Sequence, residues 1–259
     1  MPVKFENPPI SELVISTYFN PILNELRSEH VGLFWSSLKK EFPLISQNVP
    51  VGGIEIVAGS EIFPMPRFWI TSEDEISLIQ IQKNAFMFNW RRREHDYPHY
   101  DNLKAEFDRH FIQFCDFMSS ELDIRDPNID VCELAYINLV EPCEYWSGPH
   151  ETKNILPSFS SLDIGCTEGE YPSFNDVSVY KMADDLQLRV AVRSAHSAKN
   201  PEIPALVFEI RATGRLGQAQ KSDADKWFDR AHTAIINCFL GMTNPEIQHK
   251  YWKPIEEAT

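Results

Sequence analysis

A chain of 259 residues with 43% hydrophobic and 12% aromatic content and only 10 glycines is neither disordered nor of low complexity. At this length it buries roughly three quarters of its unfolded surface without needing disulfides or a structural metal. Lys plus Arg 24 against Asp plus Glu 38 gives a net charge of −14, a field that repels polyanions and disfavours nucleic acid as a partner.

The N-terminal stretch MPVKFENPPISELV has no basic segment followed by an apolar run, and nowhere do about 20 apolar residues follow one another. The five cysteines, Cys115, Cys132, Cys143, Cys166 and Cys238, are odd in number and contain no Cys-x-x-Cys pair. Both features lead to the expectation of a reduced, cytoplasmic protein with no membrane association.

In chain order, Asn7-Pro8-Pro9 is an extended entry to a strand over Glu12 to Phe19. Asn20 then predicts a helix cap, with Pro21 in the first turn and an apolar stripe of Ile22, Leu26, Leu33, Phe34, Leu38 and Phe42, a helix that Gly32 would split. The proline- and glycine-rich passage Pro50 to Pro66 predicts one short strand at Ile54 to Ala58.

The stretch from Arg67 to Tyr100 organises the first half. A hairpin turning at Lys83-Asn84 pairs Ile81 with Phe86, Ile79 with Phe88 and Ser77 with Trp90 on one apolar face. The same register sets Gln82 with Ala85, Gln80 with Met87, Leu78 with Asn89 and Ile76 with Arg91 on a second, mixed face. Beyond Asp96-Tyr97-Pro98, residues Leu103, Phe107, His110, Phe111, Phe114, Phe117, Met118 and Leu122 fall at helical spacing. A strand follows from Val131 to Val140.

Between Glu141 and Pro172 the periodicity is lost, which predicts a boundary between two lobes, residues 1–145 and 146–259. In the second, strands are expected at Val177 to Met182, Leu186 to Ala195 and Pro204 to Thr213, with a turn at Asp184-Asp185. Ser222 with Asp225 has the spacing of a capping box ahead of a helix to Leu240, and Thr243 with Glu246 repeats it for a last helix through Trp252. The fold class expected is α+β, two lobes of antiparallel sheet, each covered by helices on one face.

The elements PPISELVISTYF, LFWSSLKKEFP, LIQIQKNAFMFNWRR with YPHY, and the closing KYW together resemble a sporadically distributed prokaryotic family of about this length. The likeness spans nearly the whole chain, and LIQIQ and FNWR are its most specific part. That family carries no assigned biochemical function and no established catalytic residues, so the resemblance transfers none. Its patchy occurrence is similar to that of mobile defence or toxin-antitoxin cassettes.

Arg91-Arg92-Arg93 is the densest positive run, and alternation directs Arg91 and Arg93 to the mixed face beside Gln80, Gln82 and Asn89. Arginine's planar fork suits phosphate or carboxylate, so these five residues are the candidate ligand site, set against plain pairing of the arginines with Glu94, Asp96 or the acidic surface. His95 and His99 lie four apart, but Pro98 opposes a helix there, and His110 would join them only in three dimensions; no metal site is assigned. Arg189, Arg193 and Arg211 share a sheet face with Glu209 as a charge ladder or an anion site. Cys166 lacks an evident activating partner beside Glu168.

No Gly-x-Ser-x-Gly, His-Glu-x-x-His, Walker loop or Gly-x-Gly-x-x-Gly is present, so neither cofactor nor catalytic residue is assigned. The expected function is a protein-interaction or ligand-binding module with a protein or an acidic small molecule as partner. Self-association stays open. The alternatives are an enzyme acting on a nucleotide or other phosphorylated substrate through Arg91, Arg93 and one of the three histidines, and, last, a nucleic-acid binder.

Overall fold

The computed structural model describes residues 2–52, 65–159, 173–183 and 185–255. The expected strand at 54–58, Cys166 and Asp184 lie outside them. Among the described residues nine strands form one sheet, accompanied by five helices, and the fold is mixed α+β.

The elements are β1 (Ile10–Phe19), α1 (Ser28–Leu38), β2 (Leu44–Asn48), β3 (Arg67–Thr71), β4 (Ser77–Gln82), β5 (Ala85–Arg91), α2 (Tyr100–Leu122), β6 (Ile129–Val140), α3 (Thr152–Ile155), β7 (Asn175–Lys181), β8 (Leu186–His196), β9 (Pro204–Ala219), α4 (Lys221–Met242) and α5 (Pro245–Ile247), the last continuing into a π turn at Gln248–Trp252. The sheet order is β2-β3-β4-β5-β1-β6-β9-β8-β7. Antiparallel register joins β2 to β3, β3 to β4, β4 to β5 and β7 to β8.

Two compact units divide the chain, neither of them contiguous. The first comprises Met1–Glu12, Ala135–Thr213 and Asp229–Thr259, the second Leu13–Leu134 and Gly214–Phe228.

In the second unit, β4 and β5 pair in the register that alternation predicts, Ile81 with Phe86, Ile79 with Phe88, Ser77 with Trp90. The apolar face packs on α2, whose buried stripe includes Leu103, Phe107, Phe111, Phe114 and Met118. Phe86 lies 5.2 Å from Phe114 and 5.5 Å from Phe111 between ring centroids, and Phe107 meets Phe228 at 5.6 Å. Phe88 and Trp90 are core residues.

Lys104, buried on α2, donates to Asp108 at 2.7 Å and to Asp225 at 2.7 Å, while Lys221 reaches the same two carboxylates at 2.8 Å each. Burial raises the Asp225 carboxyl while Lys104 and Lys221 pull it down, and it ends below its ordinary value. This closed quartet of two cations and two anions ties the start of α4 to α2.

In the first unit the core gathers Phe5, Phe208, Phe239 and Trp252, with Phe239 5.8 Å from Phe5 and 5.1 Å from Trp252. Of α4, Ala231, Ile235 and Phe239 are buried in this unit and Trp227 and Phe228 in the second, as the periodicity predicts, and Cys238 is half-buried.

Four local expectations are corrected. Pro21 does not open a helix: the Asn20-Pro21 peptide is cis, Leu23 N–H donates to Lys83 O at 2.8 Å, and α1 starts at Ser28 after Arg27. The amides of this segment are engaged by the hairpin turn, so they are not available for a helical ladder. Gly32 does not split α1, because Val31, Phe34 and Leu38 keep one buried stripe across it; Leu33 faces solvent.

Ser222 does not cap α4 either. Asp223 reaches back to Gln220 N–H at 3.4 Å, while Asp225 accepts from Lys104 and Lys221. Before α5, Thr243 donates its hydroxyl to Phe239 O at 2.6 Å, and Asn244 takes the cap position, accepting from Glu246 N–H at 2.9 Å.

Candidate functional site

The mixed face of the hairpin, the candidate ligand site, is largely buried. Gln80, Gln82 and Asn89 are 5%, 2% and 4% exposed, among Leu78 and Met87. A buried amide must find partners, and the hairpin provides some of them. Gln80 Nε2 donates to Asn89 Oδ1 at 2.7 Å across the two strands. Gln82 accepts from Val51 N–H at 2.9 Å and donates to Val51 O and to Asn84 Oδ1. Gln82 is thus a structural clamp on the segment after β2.

Antiparallel pairing of β3 with β4 adds two residues that sequence reasoning missed. Trp69 sits directly opposite Gln80, and Arg67, two positions earlier, shares its face. The Arg67 guanidinium stacks over the Trp69 ring at 5.5 Å. Burial pushes the Arg67 pKa below its ordinary value, with the nearby Tyr18 phenol opposing it. Among the described residues, Arg67 has no carboxylate within ion-pair distance.

Among the described residues, three buried polar atoms on these neighbours have no hydrogen-bond partner: Arg67 Nε, Trp69 Nε1 and Gln80 Oε1. Two donors and one acceptor lie side by side on adjacent strands, in a place where leaving them unsatisfied costs about 1–3 kcal/mol each. The only signal in the sequence was the RFW triplet opening the central stretch, whose meaning depends on which strand pairs with it.

Of the other sequence candidates, Arg91 continues the same face beyond Asn89 and is half-buried. Arg93 is drawn away to an exposed ion pair with Glu75 at 3.1 Å. Arg92 packs over the Trp90 ring at 6.0 Å. His95 is exposed and His99 precedes α2 with φ +66°. His110 is fully buried, edge-on to Phe42 at 5.0 Å and stacked on Phe88 at 5.9 Å.

Glu41, Glu106 and His110 bring three ligand-type atoms within 4.8 Å of one another. The guanidinium of Arg109 already lies among them. It donates to Glu41 at 2.6 and 3.0 Å and to Glu106, and its Nη2 is 3.0 Å from His110 Nε2. Hydrogen bonding to Arg109 holds Glu41 below the usual carboxylate range. A cation this close supplies the charge a metal would supply and competes for the same lone pairs, and it binds this group into an ion-pair network.

In the first unit, Arg189 and Arg211 both donate to Glu209, at 3.2 and 2.7 Å. Tyr136 and His232 share a 2.8 Å hydrogen bond. No family model matches the chain, and no curated protein sequence matches it.

Proposed function

We propose that the protein is a ligand-binding module whose site is the polar face of β3, β4 and β5, and that its ligand is an acidic small molecule. The observation that carries this is the row of unsatisfied buried atoms on Arg67, Trp69 and Gln80. A carboxylate or phosphate suits Arg67 and the indole N–H together, and a hydroxyl or amino donor on the same molecule suits Gln80 Oε1. Asn89 orients Gln80, Arg91 adds positive charge at one end, and Gln82 and Arg93 support the strands around it.

The net charge of −14 makes a locally positive, desolvated site the place where an anion gains most from leaving water. In this reading the segment 1–145 carries the ligand, and 146–259 forms a second lobe with a role of its own. The compartment we assign is the cytoplasm, a reading supported by the free thiols of Cys115, Cys132, Cys143 and Cys238. Among the described residues no helix is long and apolar enough to cross a membrane.

The test is extraction of the natively purified protein with acid and mass spectrometry of the extract, for the wild type and for Arg67→Met and Trp69→Phe. The expected result is a stoichiometric anion in the wild type that is depleted in both folded variants. An empty wild-type extract, or equal recovery from all three proteins, would overturn the reading.

A further inference from the structure

Among the described residues β7 ends the sheet, and no strand pairs with its outer side. Met182 N–H donates to Leu186 O at 2.8 Å and Ser194 N–H to Phe174 O at 3.1 Å, in the register that pairs Asn175 with Arg193 and Lys181 with Gln187. Hydrogen-bonded and non-hydrogen-bonded pairs alternate along an antiparallel ladder. The even-numbered residues of β7 therefore bond to β8, and the N–H and C=O groups of Asn175, Val177, Val179 and Lys181 point to the free edge. The strand contains no proline and carries a single lysine, at its end, so the usual protections of an edge are nearly absent.

The two faces of this edge differ in kind. On one, Val177 and Val179 are 43% and 53% exposed. Lys181 follows on the same face, and Arg189 and Arg193 stand behind them, opposite Val179 and Asn175. Glu209 pairs with both Arg189 and Arg211, and Arg193 has no ion pair among the described residues. On the other face Tyr180 and Met182 are 53% and 49% exposed. Met182 borders a groove of about 650 Å³ lined also by Leu188, Asp229, Arg230, Thr233, Ala234 and Cys238.

We propose that the β7 edge binds an acidic, extended segment of a partner protein, which adds a strand to the sheet, with acidic side chains toward Lys181, Arg189 and Arg193 and apolar ones toward Tyr180, Met182 and the groove. Main-chain hydrogen bonds hold such a strand, and alternate side chains select it. Charge decides the occupant: a second copy would set two cationic rows side by side, whereas an acidic strand meets a cationic sheet face on a chain whose net charge is −14. This surface is separate from the ligand site on β3 to β5 and does not depend on it.

The probes are two blocked eight-residue peptides, one alternating glutamate with valine and one alternating lysine with valine, titrated by calorimetry. The key variant is Val179→Pro. Its lost N–H faces outward, so proline is tolerated there, whereas Ser178→Pro would break the ladder to β8. The acidic peptide is expected to bind the wild type and the basic one not to. Val179→Pro, at unchanged melting temperature, should weaken binding by roughly tenfold or more, and Lys181→Glu with Arg193→Glu should do the same without touching the backbone. Equal binding of the two peptides would overturn the proposal. So would no binding at about 1 mM, binding that survives both variants, or sedimentation showing that Val179→Pro abolishes self-association instead.

Discussion

At His110 the two ring nitrogens have opposite roles. Nε2 accepts from Arg109 at 3.0 Å, and the proton sits on Nδ1, which donates to Gln113 Oε1 at 3.1 Å. Burial lowers the pKa of this histidine from 6.5, and the positive charge of Arg109 lowers it further, against the opposing pull of Glu41 and Glu106. As pH falls below 6.5 the unfolded chain takes up a proton that the folded chain refuses, so stability declines from that point down to the folded pKa. Glu41, lowered from 4.5 chiefly by Arg109, adds a second loss as pH falls through its own folded pKa. Melting temperatures recorded from about pH 8 to about pH 5 should fall for the wild type, and more shallowly for His110→Phe, which keeps the aromatic packing without the titration. Parallel curves would mean that His110 takes up its proton in the folded chain as readily as in the unfolded one. Neither the burial nor the arginine is visible in the spacing of His95, His99 and His110. Helical periodicity places His110 on the inner stripe of α2, and the tertiary neighbour Phe42 completes its enclosure.

Elements differ in how much of them local pattern determines. The β4–β5 hairpin was legible because its two strands confirm each other: the offset that pairs Ile79 with Phe88 also pairs Gln80 with Met87, and a one-residue slip would invert both faces. Trp69 and Arg67 were not legible, since their place depends on β3 lying opposite Gln80. Caps were misread where a hydroxyl had a closer acceptor, as Thr243 has in Phe239 O. β9 shows the same limit through Gly214, a glycine within a run that reads as ordinary strand. A Cβ there would lie 2.1 Å from Trp227 Nε1 and 2.6 Å from the adjoining ring carbon. The indole is buried and has no room to retreat, so the strand keeps glycine where α4 lays a tryptophan on its backbone. Gly214→Ala should destabilise by about 1–3 kcal/mol, the range for overpacking, in a chemical denaturation curve; an unchanged midpoint would show that the ring moves freely.

For the molecule as a whole, sheet order was the part the sequence withheld. Local alternation finds most strands, but it cannot say that β1 and β6 lie between β5 and β9, because those pairings join residues far apart in the chain. The second unit likewise draws Gly214–Phe228 from well beyond its main segment. A fragment of residues 1–145 would keep the hairpin and α2 but lose Asp225 and Lys221 from the charged quartet and Phe228 from the ring it forms with Phe107. It should show secondary structure with weak near-ultraviolet dichroism and a broad unfolding transition; a sharp cooperative transition would show that those partners are dispensable. The placement of the six tryptophans has a consequence for measurement. Trp90, Trp146, Trp227 and Trp252 are buried, Trp35 bonds through its indole to Phe42 O at 2.9 Å, and Trp69 stands half-exposed beneath a guanidinium with its N–H unclaimed. Quenching by a soluble collider should therefore act mainly on Trp35 and Trp69, both half-buried, and an anion seated against the Trp69 indole would shield that share of the emission, so the protein's own fluorescence reports occupancy without a label.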